Sequence, residues 1–175
     1  MPTANCPCIT DQTPGTNWYS NIGDKVAAVA LPEDGWASMD IDGYGHIQRF
    51  AIDTSGVPAG ATINSVSLYH VSYGAGSDYR RGRIYLNGSY SDTEYFVDNA
   101  VVTRLDELSR PGGGTWDYDD LASLEACYQD QPGIPNSIYL FTLYIVIDYT
   151  ESEPEPPAPP TDNGNIVPFL NCLAT

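Results

Sequence analysis

The fold is decided by Ser137-Ile138-Tyr139-Leu140-Phe141-Thr142-Leu143-Tyr144-Ile145-Val146-Ile147-Asp148-Tyr149-Thr150, a stretch with no glycine or proline and a single charge. β-Branched and aromatic side chains dominate it, and these types suit the pleated surface of a sheet. Alternate side chains of a strand face opposite ways, so one face is wholly apolar or aromatic and the other is mixed. The first of these two sides comprises Tyr139, Phe141, Leu143, Ile145, Ile147 and Tyr149. The stretch therefore predicts a long strand inside an antiparallel sheet.

The composition favours one folded domain made of strands. The 175 residues include 16 glycines, 14 prolines and 13 tyrosines, which favour strands and turns over helices. Hydrophobic residues make up 42% of the chain, enough for a body of roughly 140 residues to bury a core without a metal or disulfide scaffold. Glycine and proline turn signals separate about eight to ten short candidate strands, a pattern that predicts a β-sandwich or barrel.

The net charge of −16 argues against nucleic acid as a partner, because affinity for phosphate depends on lysine and arginine. Arginines cluster at Arg80, Arg81 and Arg83, and strand alternation places Arg81 and Arg83 on one solvated face. No apolar run reaches about 18 residues, so no membrane span is predicted. Residues 1–5 lack the basic start of a signal peptide, and no apolar run follows them. We therefore expect a protein made in the cytoplasm.

The folded body is predicted to lie between two terminal arms. Residues 1–16 are rich in proline, threonine and glycine and show no periodicity, so they are assigned to an N-terminal arm. Residues 17–150 form the body. Residues 151–163 are an acidic, proline-rich linker, and residues 164–175 become apolar again.

Most segments of the body alternate like strands, among them Lys25–Leu31 and Asn64–Tyr73. Asn87-Gly88 is a hairpin turn signal. One helix is predicted, over Asp117–Tyr128, because Asp117 is a suitable N-cap and apolar residues recur on one helical face. The body is therefore expected to contain one short α-helix among its strands.

Two segments of the body resemble known architectural motifs. Val57-Pro58-Ala59-Gly60-Ala61-Thr62-Ile63, with the residues around it from 49 to 68, is similar to a segment of jelly-roll modules in secreted surface proteins and phage structural proteins. Thr115-Trp116-Asp117-Tyr118-Asp119-Asp120-Leu121 resembles a segment that precedes a final strand in many phage virion proteins, as Tyr144–Thr150 follows here. The resemblance covers residues 46–150 and implies an antiparallel jelly-roll β-sandwich with a structural role. The shared residues are architectural, and none carries a reactive group.

The remaining sequence offers few candidates for chemistry. His46 and His70 each lie in a predicted strand, and no nucleophile motif or phosphate-binding loop accompanies them, so we expect no enzyme. Asp40 and Asp42 precede a glycine and form a candidate Ca²⁺ site, with an acidic, solvated turn as the alternative.

The cysteines fit no zinc site, because Cys6-Pro7-Cys8 has no second pair and no nearby histidine. Two alternatives remain for the cysteines: disulfide bridges to the body or to a neighbouring subunit, and reduced thiols. The four cysteines are Cys6, Cys8, Cys127 and Cys172.

Partner contacts are expected at the C-terminal peptide and at exposed tyrosines. The peptide has several large apolar residues, which a merely disordered end would not need. It is therefore predicted to dock on a neighbouring subunit or another particle protein. The alternative is that it folds back onto its own body. Its docking residues are Ile166, Val167, Phe169, Leu170 and Leu173. A glycan is the other candidate partner, and the tyrosines that would stack on it are Tyr69, Tyr73, Tyr79, Tyr85, Tyr90 and Tyr95.

Together these features predict an all-β jelly-roll sandwich with one short α-helix and extended terminal arms. The leading function is a non-enzymatic phage virion protein, either a capsid decoration or cement subunit or a neck or tail component, bound to itself and to other virion proteins. The alternatives are a carbohydrate-binding or adhesive module and an extracellular filament subunit joined by strand exchange. The expected location is the virion, after synthesis in the host cytoplasm, with an extracellular site as the alternative.

Overall fold

The structure, a computed structural model, describes residues 2–13, 18–20, 25–30, 37–39, 47–74, 80–95, 100–130 and 138–152. Across these ranges ten strands, mostly antiparallel, form one curled sheet, which confirms the all-β class. The described helices are α1 (Lys25–Ala30) and a 3-10 helix (Tyr118–Ser123), and neither is long and apolar enough to cross a membrane. The strands are β1 (Thr3–Asp11), β2 (Trp18–Ser20), β3 (Ala37–Met39), β4 (Ile47–Ile52), β5 (Thr62–Gly74), β6 (Arg80–Leu86), β7 (Ser89–Tyr90), β8 (Val101–Glu107), β9 (Glu125–Asp130) and β10 (Ile138–Thr150).

The predicted long strand is β10, which pairs antiparallel with β5 along its whole length and with β3 and β1 on its other edge. The wholly apolar or aromatic side predicted for this strand is confirmed at Leu143, Ile145, Ile147 and Tyr149, all of which are buried. It is wrong further upstream, where Ile138 and Leu140 are buried instead. The cause is a register shift between Leu140 and Thr142, which exchanges the two faces of the strand.

Residues 3–11 are the main correction to the predicted organisation, because they form β1 and not part of an arm. The first half of β1 pairs with β10 and the second half with β4, with a register shift between Cys8 and Thr10. Ala4, Cys6 and Cys8 alternate into the core. Pro7 argued against a strand because proline lacks an N–H. It is tolerated because it lies where β1 leaves β10 for β4.

The predicted helix over Asp117–Tyr128 is also wrong in extent. Its cap is real, since the Asp117 side chain accepts from Asp119 N and the Asp120 carboxylate accepts from Asp117 N, at 2.9 Å. The turn is a 3-10 helix, however, and Leu124 is already extended. Arg110 donates to both oxygens of Asp120, at 2.7 and 2.8 Å, and holds this short turn in place. The following residues form β9.

Lys25–Leu31 was predicted as a strand, and its residues 25–30 form α1. The alanine-rich composition favours a helix, and Val26 and Val29 are one helical turn apart. Val29 is fully buried, and Val26 packs against the core. The strand prediction missed this spacing because a short apolar run fits a strand and a helix equally well.

The core lies between the two halves of the curled sheet. β5 and β10 contribute one wall, and β4, β9 and β6 contribute the other. The walls touch where the Tyr128 hydroxyl donates to Ser72 Oγ, at 2.7 Å, and where Cys8 Sγ donates to the Leu143 carbonyl, at 3.2 Å. Gly82 allows the closest approach, because a Cβ there would overlap with Leu68 Cδ2.

Replacing Gly82 with alanine should destabilise the protein by about 1–3 kcal/mol, the usual cost of overpacking a core. Leu68 is fully buried, so its side chain can move aside only by displacing other core residues. Urea unfolding followed by circular dichroism would measure the loss. Gly56→Ala is the matched control, because a Cβ there lies 3.6 Å from Ala4 Cβ, an ordinary contact. Equal stability of the two variants would contradict this account of the packing.

Candidate interaction surfaces

The outer side of strands β4, β9, β6 and β7 carries a group of arginines and tyrosines. Cross-strand register aligns Arg49 and Arg83 on either side of Cys127, and places Tyr85 opposite both Glu125 and Tyr90. Tyr95 follows from the loop after β7. We call this surface the arginine–tyrosine face, defined by Arg49, Arg81, Arg83, Tyr85, Tyr90 and Tyr95.

Each arginine of the arginine–tyrosine face lies over a tyrosine ring. The distances from Cζ to the ring centroid are 4.3 Å for Arg49 over Tyr85 and 4.5 Å for Arg83 over Tyr90. Arg81 lies 4.1 Å above Tyr95 in the same way. Guanidinium groups stack well on aromatic rings, so these contacts fix the positions of three positive charges.

Hydrogen bonds hold two of these arginines further. Arg81 Nε donates to Gln129 Oε1 at 3.0 Å, and its Nη1 donates to the Thr93 carbonyl at 2.9 Å. Arg83 donates to the Ser91 carbonyl at 3.0 Å and to Gln129 Oε1 at 3.2 Å. All of these acceptors are neutral, so none of them compensates the positive charge of Arg81 or Arg83. The groups are also ordered before any ligand arrives.

Glu125 is the acidic member of this surface, with Oε2 3.4 Å from Arg49 Nε. Burial raises the pKa of Glu125, and the positive charge of Arg49 opposes that rise. The pKa of Arg49 is raised, since the charge of Glu125 and the contact with Tyr85 together outweigh burial. The pair therefore neutralises one of the three arginines and leaves Arg81 and Arg83 as the net positive part of the face.

The cysteines of the described chain are free and buried, at Cys6, Cys8 and Cys127. Burial raises the pKa of Cys6 to about 11 and raises that of Cys127 well above its usual range, so both thiols are neutral at pH 7. These three thiols form no bridge with one another, and a bridge to Cys172 or to a neighbouring subunit stays a prediction. Cys172 lies outside the described residues.

The outer side of the other half of the sheet carries two rows of apolar and aromatic residues, beside rows that contain Glu107 and Asp148. One cross-strand row runs through Pro7, Tyr144, Tyr69 and Leu105, on four neighbouring strands. The rings of Tyr69 and Tyr144 stack with centroids 4.5 Å apart. A second row joins Tyr139, Tyr73 and Val101. We call these seven residues the apolar face.

The apolar face is open to solvent at its outer margin, where Val101 is 62% exposed and Leu105 is 59% exposed. Both residues belong to β8, which pairs only with β5 among the described strands. Exposed apolar side chains on an edge strand are unusual in a monomer, because such an edge is a template for further pairing. This margin is therefore a candidate contact for another chain.

A polar network is buried between the sheet walls around His70. His70 Nε2 lies 3.7 Å from Asp106 Oδ2, and its Nδ1 lies 3.5 Å from Ser72 Oγ. Ser72 Oγ also accepts hydrogen bonds from Tyr128 and from Arg80 Nε. Ser72, His70 and Asp106 lie in the same order as the nucleophile, base and acid of a catalytic triad. Ser72 and His70 are both fully buried, so no substrate can reach the hydroxyl, and the network serves the core.

Several predicted site residues lie outside the described part of the chain. They are Asp40, Asp42, His46, Tyr79, Cys172, Ile166, Val167, Phe169, Leu170 and Leu173. The Ca²⁺ site and the docking peptide therefore stay predictions. Within the described ranges, no group of three or more histidine, cysteine or acidic side chains is placed to hold a metal ion.

The candidate glycan tyrosines are divided between the two surfaces. Tyr85, Tyr90 and Tyr95 belong to the arginine–tyrosine face, whereas Tyr69 and Tyr73 belong to the apolar face. Sequence reasoning placed Arg81 and Arg83 together but did not add Arg49, because that neighbour depends on pairing of β4 and β6 with β9. A period-2 pattern in residues 125–130 was the available signal, and the helix prediction concealed it.

Stability should fall as the pH drops from 7.5 to 5.0, with His70 as a main cause. Burial lowers the pKa of His70 below 6.5, aided by Arg104 and Arg80 and opposed by Asp106. The unfolded chain therefore binds a proton below about pH 6.5 that the folded chain resists, which favours unfolding. Urea unfolding of His70→Gln should show a smaller change of midpoint over this range than the natural chain.

His46→Gln is the matched control, since the chain has two histidines. It should keep the full dependence on pH. Asp106 adds a separate loss at lower pH, because its contacts with His70 and Arg104 lower its pKa to about 2. A dependence between pH 7.5 and 5.0 that survives in His70→Gln would contradict the assignment to His70.

A scan against models of protein families found no match to this chain, and a search of curated proteins found none either.

Proposed function

We propose that this chain is a non-enzymatic structural subunit of a phage virion, either a capsid decoration or cement subunit or a neck or tail component. In this role it binds copies of itself and other virion proteins. The proposal includes a jelly-roll arrangement of the two sheet halves. The observation that carries it is the apolar face, which has two strongly exposed aliphatic residues on an edge strand.

The apolar face has the composition of an assembly contact. Interfaces are rich in tyrosine and depleted of charge at their centre. The seven residues of this face are four tyrosines and three aliphatic or proline residues, and the charge of Glu107 lies at its margin beside Leu105. The whole chain is only 17% charged, which suits a subunit that covers much of its surface in a particle.

The edge of β8 offers a second mode of contact. Its backbone can accept a further strand, as in complexes formed by strand addition. The C-terminal peptide over residues 164–175 is the predicted donor, because it is apolar and follows a linker long enough to reach another subunit. Assembly through a terminal segment and the edge of a sheet agrees with the decoration or tail role.

The segments that resemble virion modules occupy architectural positions. Val57 and Ala61 are buried, and Gly60 has a φ of 74°, a conformation that favours glycine. Trp116 and Tyr118 pack against the core at the same end. These positions agree with the roles that the resemblance implies and support a jelly-roll arrangement.

Stacking on a glycan is less favoured by the same geometry. Tyr85, Tyr90 and Tyr95 each have a guanidinium over one ring face, which competes with a sugar for that face. Tyr69 is likewise stacked on Tyr144. Protein–protein assembly therefore accounts for these tyrosines better than carbohydrate binding does.

Substitution of Leu105 by glutamate should reduce self-association of the full chain by at least about tenfold in dissociation constant, because a charge at an apolar interface must be desolvated. Sedimentation velocity over a range of concentrations would measure this. Ser89→Glu is the matched control, since Ser89 is exposed on a strand in the other half of the sheet. Equal association of both variants and the natural chain would rule out the apolar face.

Deletion of residues 151–175 should leave a folded protein that fails to assemble. Every residue of the described core cluster lies before residue 151, and the described contact that is lost is the surface hydrogen bond from Ser152 to Gly60, so we expect the body to fold. Circular dichroism would report the fold, and light scattering would report the assembly. Normal assembly of the truncated chain would exclude the tail as an anchor.

A further inference from the structure

The arginine–tyrosine face is the one concentrated positive surface in the described part of a very acidic chain. The full sequence has seven lysine and arginine residues against 23 acidic ones. Three of the seven lie on this face, at Arg49, Arg81 and Arg83, and only Arg49 is paired with a carboxylate there. Such a surface attracts an acidic ligand.

The acidic, proline-rich segment over residues 151–160 has matching chemistry. It contains Glu151, Glu153 and Glu155 within a run of five prolines. In a polyproline II helix, which has about three residues per turn, Pro154, Pro157 and Pro160 fall on one edge, and Pro156 and Pro159 fall on another. Segments of this kind bind to aromatic-lined surfaces, where little conformational entropy is lost.

We propose that residues 151–160 of one copy dock on the arginine–tyrosine face of a second copy, with glutamates on Arg81 and Arg83 and prolines on Tyr85 and Tyr90. This inference rests on the self-association proposed above and identifies the surface that receives the linker. The Tyr85 and Tyr90 rings have centroids 4.9 Å apart and are tilted by 57°. One face of each ring carries a guanidinium, so proline would pack on the ring edges.

The face is prepared for this contact before binding. Arg81 and Arg83 are held by Gln129 and by backbone carbonyls, and their guanidinium groups lie over tyrosine rings. Side chains that are already ordered lose little further freedom when a ligand binds. The remaining guanidinium edges can then pair with carboxylates in a defined geometry.

The start of the linker indicates that the receiving face belongs to another copy. Ser152 Oγ donates to the Gly60 carbonyl at 3.0 Å, which fixes the origin of the segment. Gly60 and Tyr118 line one groove, while Ser123 and Tyr85 line the next, so the 3-10 helix separates them. That helix has six residues and spans about 10–12 Å at its rise of about 2.0 Å per residue.

This path is longer than the backbone that leads to the chain's own glutamates. Arg83 lies two residues beyond Tyr85 along β6, a further distance of about 6.6 Å. Glu155 is three residues beyond Ser152, which is at most about 11 Å of extended backbone. Contact between Glu155 and Arg83 of the same molecule would therefore need both side chains fully extended towards each other, whereas a second copy has no such limit.

The test is binding of a fluorescein-labelled peptide of residues 150–163 to the full-length chain. The receptor is the full chain with Glu151→Gln, Glu153→Gln and Glu155→Gln, so that its own segment competes little. We expect saturable binding that weakens with salt, because charge pairing contributes to it. Adding Arg81→Glu and Arg83→Glu should weaken binding by at least about tenfold, since like charges then meet.

A peptide with lysine at its three glutamate positions should restore binding to the reversed receptor, which excludes misfolding as the cause of the loss. Lys25→Glu on α1 is the matched control and should leave the affinity unchanged. Absence of saturable binding, or equal affinity for the natural and reversed faces, would overturn the inference. If the full chain still associates in that case, the assembly role stands and only this docking site fails.

Docking on the same molecule is a distinct outcome. The natural chain would then bind no peptide even at concentrations where it sediments as a monomer, while the glutamine variant would bind it. That result would overturn docking between copies and leave self-association through the apolar face to be judged by sedimentation.

Discussion

The arrangement depends on the backbone pairing of β10 along both of its edges. β5 covers one edge over the full length of the strand, while β3 and β1 share the other. A strand in that position buries one face in the core and gives its other face to the outer side of the sheet. The apolar face exists because tyrosines from β10 and β5 align there in register.

β1 converts this pairing into a closed core. It leaves β10 after Pro7 and continues along β4, which brings β4, β9 and β6 over the buried side of β5. The contact between Gly82 and Leu68 is close because no side chain intervenes. The polar residues enclosed there bind each other, so burial of His70, Ser72 and Tyr128 is compensated by hydrogen bonds.

Local patterns predicted those parts of the fold that local forces determine. The faces of β5, the Asn87-Gly88 turn and the cap at Asp117 agree with the structure, since each depends on neighbours in sequence. β1 and β9 were missed because a proline and a good helix cap outweighed weak alternation. The arginine–tyrosine face was only half predictable, since Arg49 joins it through strands distant in sequence.

The two surfaces lie on opposite halves of the curled sheet, and this has a consequence for assembly. A contact in which the linker of one copy enters a face of the next is heterologous, so each copy gives and receives one link. Such links close into a dimer when two copies exchange them reciprocally, and otherwise continue into rings or open arrays. The apolar face stays available for a second, different contact. A subunit with both would cross-link neighbours in two directions, which is what a protein that reinforces a particle surface must do.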